Sequence, residues 1–270
     1  LQEMAGELEN TVSVSEIMEI AERAEDLDVD KERTEELYLL KEMALPKDKP
    51  VIAVAKDEAF CFYYRENLLL LEKSGAEIKY FSPMRDQELP LGCHGILLGG
   101  GYPELYAEKL SLNHSMHKAI RQAVENKMPI VAECGGFMYL HSSLTGKDGI
   151  SYAMAGVIPG KCVYTDRLVR FGYIEIQEEE SFFLPKGKRI KGHEFHYFDS
   201  TDNGNGAVAL KPVTGRSYPC IMAGENYWMG FPHLYYPSNP EFARSFVEKA
   251  LQYKSTMGKQ DINNQIKAPL

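Results

Sequence analysis

The sequence predicts an α/β fold in which an open, largely parallel sheet is followed by a strand-rich second half. Short apolar runs alternate with helical stretches between residues 51 and 133, as parallel strands joined by crossover helices require. After about residue 150 the pattern changes to strands separated by turns. Glycines follow two of the early strands directly, and open α/β sheets bind ligands at the carboxyl ends of their strands.

Apolar runs predict four strands in the first half, over residues 51–55, 77–81, 94–101 and 129–133. Helical spacing predicts helices between these strands and a last helix that covers the sheet, over residues 63–75, 103–110, 112–127 and 240–254. In the second half, strands are predicted within residues 152–165, 169–177, 189–201, 207–212 and 218–236. Residues 51–254 are therefore the predicted main domain.

The two ends of the chain differ from this domain. Residues 12–44 carry only helical patterns, which include a second helical run from Lys31 to Ala44. Two prolines around three charges predict a linker at 46–50, and so a helical segment at 1–45. The tail at 255–270 lacks apolar periodicity and is predicted to be disordered. Because the chain begins within helical sequence and without methionine, it reads as a piece of a longer protein.

Composition excludes several classes of function. The chain has 270 residues and a formal net charge of -9, and its basic residues are scattered, which argues against nucleic-acid binding. Apolar runs stay well below the roughly 20 residues that span a bilayer, so no membrane segment is expected. The N-terminus lacks a signal pattern, and a cytoplasmic location is predicted. The five cysteines are widely spread without CxxC spacing, which predicts neither disulfides nor a metal site.

The stretch "PIVAECGGFMYL" places Cys134 where a strand becomes a helix, and Gly135 and Gly136 allow a sharp turn there. The amide groups at a helix N-terminus favour the thiolate, which predicts a depressed pKa for Cys134. The amide of Gly135 would face a developing oxyanion, and the loop at 99–101 would supply the second donor. The alternative is that Cys134 is core filling, since cysteine is often buried and such turns carry glycine for packing alone.

A thiolate nucleophile needs a general base, and histidine suits that task at neutral pH. His114 and His117 are predicted to be solvated on a surface helix. His193 and His196 lie in "GHEFHY" on a predicted strand, where they could line a pocket or be satisfied in the core. His233 follows an apolar strand and precedes a proline-rich turn. The residues alone leave His196 and His233 as equal candidates.

Five segments, read together and in this order, resemble one known family. They are "VIAVAKDEAFCFYYREN", "GILLGGGYPELYAEKL", "PIVAECGGFMYL", "GHEFHYF" and "HLYYPSNP". The family is that of the C-terminal glutamine amidotransferase domain of cobyrinic acid a,c-diamide synthases, and the resemblance covers about residues 51–254. It implies a flavodoxin-like open sheet of the class I, triad-type glutamine amidotransferases, with helices on both faces.

The resemblance also implies roles for particular residues. The nucleophile falls on Cys134 and the activating histidine on His233, which separates His233 from His196. Oxyanion or glutamine contacts fall on Gly100, Gly101, Tyr102 and Gly135. The common class I triad has a carboxylate two residues after its histidine, where this chain has Tyr235. The third member is therefore open between Glu194 and a Cys–His dyad, with Glu194 and His196 otherwise forming pocket wall.

The partners that the resemblance implies are L-glutamine and an N-terminal synthetase domain of the same polypeptide. Residues 1–45 resemble the C-terminal end of that synthetase domain. Ammonia released at Cys134 would pass to that domain, where ATP and Mg²⁺ activate the a- and c-carboxylates of cobyrinic acid. This chain itself would need no cofactor, and a homodimer is left open. Nothing in these residues separates the corrinoid substrate from nickel-sirohydrochlorin. Two rival hypotheses are a stand-alone cysteine hydrolase and a non-catalytic binding or regulatory domain.

Overall fold

The computed structural model describes residues 1–26 and 48–267, and the side chains of its last helix up to Met257. The chain divides into two compact units: the two N-terminal helices belong to the first, and residues 48–267 belong to the second. The helical run predicted from Lys31 to Ala44 lies outside the described residues, as do positions 46 and 47 of the predicted linker.

Helices and strands alternate through the first half of the main unit, and strands dominate the second half. The α-helices of the described residues are α1 (Gln2–Thr11), α2 (Val14–Glu22), α3 (Arg65–Lys73), α4 (Ala107–Leu112), α5 (His114–Glu125), α6 (Gly135–Leu140) and α7 (Glu241–Lys267). The strands are β1 (Val51–Ala55), β2 (Glu77–Phe81), β3 (Gly95–Leu98), β4 (Ile130–Glu133), β5 (His141–Thr145), β6 (Ser151–Ala153), β7 (Ile158–Tyr164), β8 (Arg170–Glu178), β9 (Arg189–His196), β10 (Phe198–Ser200), β11 (Ala207–Leu210), β12 (Ser217–Cys220), β13 (Met222–Gly224), β14 (Tyr227–Gly230) and β15 (His233–Leu234).

The central sheet has six strands in the order β13-β14-β4-β3-β1-β2. All neighbouring pairs are parallel except β13 with β14, which forms an antiparallel edge. The parallel sheet predicted from the alternating pattern is therefore confirmed, and β1 and β2 have the predicted bounds. Because β14, β4 and β3 are parallel neighbours, the residues that follow them meet at one edge of the sheet.

Helices cover both faces of this sheet, which explains why β1, β3 and β4 are buried throughout. Alternate side chains of these strands belong to two hydrophobic clusters. One cluster includes Ile120 of α5 and Phe137 of α6, and the other includes Leu71 of α3 and Phe246 of α7. The strands thus present apolar side chains to a helical layer on each side.

The second half of the chain forms two smaller sheets, ordered β10-β7-β5-β6 and β12-β11-β8-β9-β15. A long antiparallel hairpin of β8 and β9 dominates the second of these, with Arg170 opposite His196 at one end and Gln177 opposite Arg189 at the other. The two residues of β15 pair with the hairpin, His233 opposite His193 and Leu234 opposite Gly192. The chain therefore leaves the central sheet after β14 and joins the hairpin at His233.

Two details differ from the sequence predictions. His117 is only 3% exposed and packs against Tyr139, so the prediction that it is solvated is wrong. Burial also lowers the pKa of His117 to about 4. The last helix, α7, continues beyond residue 254 into the stretch that the sequence predicts to be disordered. Within residues 1–26 and 48–267, every helix is too short or too polar to cross a membrane.

Candidate active site

Three segments meet at the carboxyl edge of the central sheet. Cys134 follows β4, the glycines at 99–101 follow β3, and His233 follows β14 after two residues. Since β14, β4 and β3 are adjacent in that order, the cysteine lies between the other two segments. This places a cysteine, a glycine loop and a histidine at the position where open α/β sheets carry their sites.

Cys134 sits on a sharp turn between β4 and α6, with φ 46° and ψ -103°. Its N–H donates to the carbonyl oxygen of Gly230 (2.8 Å), and its own carbonyl accepts from the N–H of Met138 (2.9 Å). A Cβ on Gly136 would overlap the carbonyl of Leu98, so the turn requires glycine there. Such a conformation costs a residue with a side chain on the order of 1–3 kcal/mol and is typical of active sites.

The glycine loop lies against both the cysteine turn and the histidine. The amide nitrogen of Gly101 is 3.1 Å from the position of a Cβ on Gly135, so the two backbone segments nearly touch. A Cβ on Gly100 would overlap the imidazole of His233 at Cε1. Gly101 has φ 152° and packs on the carbonyl of Ala59, which a side chain would block. The loop therefore allows Cys134, its neighbouring amides and His233 to crowd together.

His233 is buried, and its ring contacts Phe62 edge to face at 4.8 Å between centroids. Its Nδ1 atom is buried without a hydrogen-bond partner, and the structure shows no hydrogen bond between His233 and Cys134, both of which it describes. Burial, together with the nearby His193 and His196, lowers the pKa of His233 to about 4. The imidazole is therefore neutral at pH 7 and can accept a proton.

The thiol of Cys134 is protonated in this state. Burial, followed by the carboxyl of Glu104, raises the pKa of Cys134 to about 12 against the lowering effect of the Gly135 N–H. The depressed pKa predicted from the helix N-terminus is therefore wrong for the free chain. The physical reason is that α6 has only six residues and that desolvation outweighs its dipole.

A cavity of about 450 Å³ opens at Cys134. It brings together several residues that the sequence singles out, namely Gly101, Tyr102, Cys134 and His196. Its other walls are formed by two short segments and several separate side chains: Glu104, Leu105, Met138, Gly146, Lys147, Asp148, Tyr164, Phe195, Tyr197 and Phe198. The volume suits a ligand of amino-acid size.

Glu194 belongs to β9 and lies outside this cavity, where its buried side chain joins a cluster of polar groups. Its carboxylate accepts a hydrogen bond from the Tyr218 hydroxyl and lies 3.8 Å from Lys211 Nζ and 3.9 Å from His196 Nε2. Burial opposes ionisation of Glu194, but His196, Tyr218 and Lys211 together hold its pKa below the ordinary value. In the described contacts no hydrogen bond joins Glu194 to His233.

The two histidines of "GHEFHY" lie on different faces of β9. His196 is buried, stacks on Phe231 at 4.0 Å and pairs its Nδ1 with the carbonyl of Phe198 at 2.7 Å. His193 lies on the opposite, partly exposed face, where its ring contacts Phe171 and Tyr173. Only His196 of the two therefore reaches the cavity at Cys134.

Two carboxyl groups near the thiol are not singled out by the sequence reasoning. Glu104 lines the cavity, its pKa is raised by burial, and none of the described cations forms an ion pair with it. Glu133 is buried at the end of β4, where its side chain bonds to the segment that follows His233. The available signal was a carboxyl in each of two quoted motifs, "GGGYPE" and "VAECGG".

Comparisons with known proteins show what this chain is similar to. Residues 51–225 match the family of CobB/CobQ-like glutamine amidotransferase domains. A cobyrinate a,c-diamide synthase of Caldanaerobacter subterraneus is 36% identical over 257 residues, covering 94% of this chain and 54% of that protein. A cobyrinate a,c-diamide synthase of Picrophilus torridus is 40% identical over 252 residues, with coverages of 90% and 54%. The chain spans about half the length of the curated relatives it matches.

A solved structure supports the fold class independently. A crystal structure of a glutamine amidotransferase superposes with a TM-score of 0.52 at 18% identity and covers 74% of this chain and 98% of that one. At this level of identity the similarity concerns the fold alone. The predicted flavodoxin-like open sheet of class I glutamine amidotransferases is confirmed.

Proposed function

We propose that this chain, which belongs to the family of CobB/CobQ-like glutamine amidotransferase domains, hydrolyses glutamine through a thioester on Cys134. The observation that carries the proposal is the strained turn that holds Cys134 at a cavity of about 450 Å³, beside the amides of Gly101 and Gly135. A buried cysteine that only filled the core would not need a backbone conformation of this cost.

The chemistry begins with a neutral pair. The Cys134 thiol transfers its proton to His233 as the sulfur attacks the carbonyl carbon of the glutamine side-chain amide. The amides of Gly135 and Gly101 stabilise the negative charge that develops on the amide oxygen. The C–N bond then breaks, and the proton on His233 goes to the leaving nitrogen, which departs as ammonia. Water next attacks the thioester with His233 as base, releasing glutamate and restoring the thiol.

Glutamine recognition needs a partner for the α-ammonium group, and two carboxyls line the cavity without an ion pair among the described residues, Glu104 and Asp148. Glu104 is the better candidate, because it is half-buried beside the thiol, whereas Asp148 is exposed and already accepts the N–H of Ile150. We expect Glu104→Gln to raise KM for glutamine and lower kcat/KM by about 10- to 100-fold, because one charge-assisted hydrogen bond is lost. Steady-state glutaminase kinetics would measure this. Glu108→Gln on the exposed face of α4 is the matched control, and equal KM values in both variants would contradict the assignment.

The names of the relatives support a proposal for the use of the ammonia. Their names describe an amidation of cobyrinate, and this chain matches about half of their length. We propose that the ammonia is used in the half of the relatives that this chain does not match. That half would be a synthetase domain that employs ATP and Mg²⁺ to activate the a- and c-carboxylates of cobyrinic acid. The chain described here supplies the ammonia.

Covalent labelling tests the central claim. A diazoketone analogue of glutamine should attach to Cys134 of the intact protein, and mass spectrometry of its peptides would locate the adduct. Cys61 is the exposed cysteine and serves as an internal control, because a merely reactive reagent would modify it first. The label should be absent after Cys134→Ala and should be prevented by excess glutamine. Labelling only at Cys61 would support a non-catalytic domain instead.

A further inference from the structure

The segment that carries His233 has little secondary structure of its own. It consists of the two residues of β15 and a 3₁₀ turn over Tyr236–Ser238. On one side β15 pairs with β9 of the hairpin. On the other side two buried polar side chains from the central sheet and from α3, Glu133 and Asn67, take the place of a neighbouring strand.

Glu133 is the residue directly before Cys134 and is 7% exposed. Its Oε2 accepts the N–H of Leu234, the residue directly after His233, at 3.4 Å. Its Oε1 accepts the hydroxyl of Tyr236 at 3.1 Å. One carboxyl group therefore connects the backbone beside the nucleophile to the backbone beside the histidine.

Asn67 of α3 holds the same segment from a second direction. Its Nδ2 donates to the carbonyl of Leu234 at 2.7 Å, and its Oδ1 accepts the N–H of Tyr236 at 2.9 Å. The backbone N–H groups of Leu234 and Tyr236 thus donate to side chains of the central sheet and of α3, namely those of Glu133 and Asn67. Because His233 has no hydrogen bond at its buried Nδ1, the position of its ring depends on how this backbone is held.

We propose that Glu133 is a positioning residue that fixes the separation of Cys134 and His233 through the backbone of Leu234 and the hydroxyl of Tyr236. It acts without touching the imidazole. The inference rests on the proposed function, in which these two residues exchange a proton. A displacement of about 1 Å between reacting groups can lower a rate by about 10²-fold, so a link of this kind has a measurable effect.

The protonation of Glu133 determines which variant is conservative. Burial raises the pKa of Glu133 to about 8, although the Tyr236 hydroxyl and the Leu234 amide lower it. The carboxyl is therefore largely neutral at pH 7, and the amide of glutamine resembles it in shape and charge. Glutamine can still accept from Leu234 and bond to Tyr236, whereas alanine can do neither.

The test compares Glu133→Gln with Glu133→Ala in the intact chain. We expect Glu133→Gln to keep kcat within about threefold, and Glu133→Ala to lower kcat by about 10- to 100-fold with KM for glutamine nearly unchanged. The rate of labelling of Cys134 by the diazoketone analogue should fall in parallel. Tyr236→Phe removes one of the two hydrogen bonds to Glu133. It should lower both kcat and the labelling rate, by a smaller factor than Glu133→Ala.

Glu178→Ala is the matched control. Glu178 is also a buried carboxyl that accepts two backbone N–H groups, those of Phe183 and Leu184, but it lies at the end of β8 remote from Arg170 and the site. This variant should lose stability without losing kcat per folded molecule. If Glu133→Ala behaves like Glu178→Ala, the positioning role is wrong.

The outcomes separate this inference from the proposed function. If the wild-type chain is not labelled at Cys134, the proposed function fails and the inference fails with it. If the wild type is labelled and Glu133→Ala or Tyr236→Phe is labelled at the same rate, only the positioning role fails. If Glu133→Ala does not fold, an unchanged labelling rate in Tyr236→Phe overturns the proposal, and a reduced rate supports it.

Discussion

Cys134→Ala is expected to abolish glutamine hydrolysis, a loss of at least about 10⁴-fold in kcat, because no other group can form the thioester. The remaining cysteines do not offer a substitute. Cys61 is exposed, and Cys93, Cys162 and Cys220 are buried outside the lining of the cavity at Cys134. Glutamate production, followed with a coupled dehydrogenase assay, measures the effect. Cys61→Ala should retain the wild-type rate.

The backbone at Cys134 provides an independent check that the loss is chemical. Since φ is 46° and ψ is -103°, a residue without Cβ relieves strain at this position. Cys134→Gly should therefore be more stable than Cys134→Ala, by about 1–3 kcal/mol in the free energy of unfolding, while both are inactive. Residual glutaminase activity in either variant would contradict the assignment of the nucleophile.

The strands of the central sheet can be predicted from the sequence because each is encoded by a few consecutive residues. "VIAVA" and "EIKYF" are strands with the predicted bounds, and the glycines after β3 and β4 lie at the expected edge. The continuous apolar run of β1 reflects a sheet covered on both faces, whereas β2 is an edge strand in which only Phe81 is buried. The prediction that His117 is solvated is wrong for the same reason. A polar residue on an amphipathic helix does not reveal which distant side chain, here Tyr139, packs against it.

The interior of the site could be predicted only in part, since its decisive contacts join distant positions. Glu133 and Leu234 are 101 residues apart, and Asn67 and Tyr236 are 169 apart, so no local pattern could associate them. The pKa of Cys134 shows the same limit. A helix N-terminus is visible in the sequence, but the desolvation that raises this pKa depends on the surrounding fold.

His233→Ala is expected to lower glutaminase kcat by about 10²- to 10⁴-fold with the fold intact, which is the usual contribution of a general base. The ring contacts Phe62 and the Gly100 backbone, and its Nδ1 has no hydrogen bond in the described structure, so its removal leaves no buried polar partner unsatisfied. Circular dichroism would confirm that the variant is folded, and glutamate production would measure the rate.

His196→Ala is the discriminating comparison, because His196, unlike His233, lines the cavity at Cys134. Its Nδ1 is engaged with Phe198 and its ring is stacked on Phe231, which are the contacts of a wall residue, so we expect a loss below about tenfold. The acid limb of kcat/KM adds a second readout. With the pKa of His233 near 4, activity should persist at pH 6 and fall only as His233 becomes protonated at lower pH. A crippled His196→Ala together with a mild His233→Ala would transfer the role of base to His196.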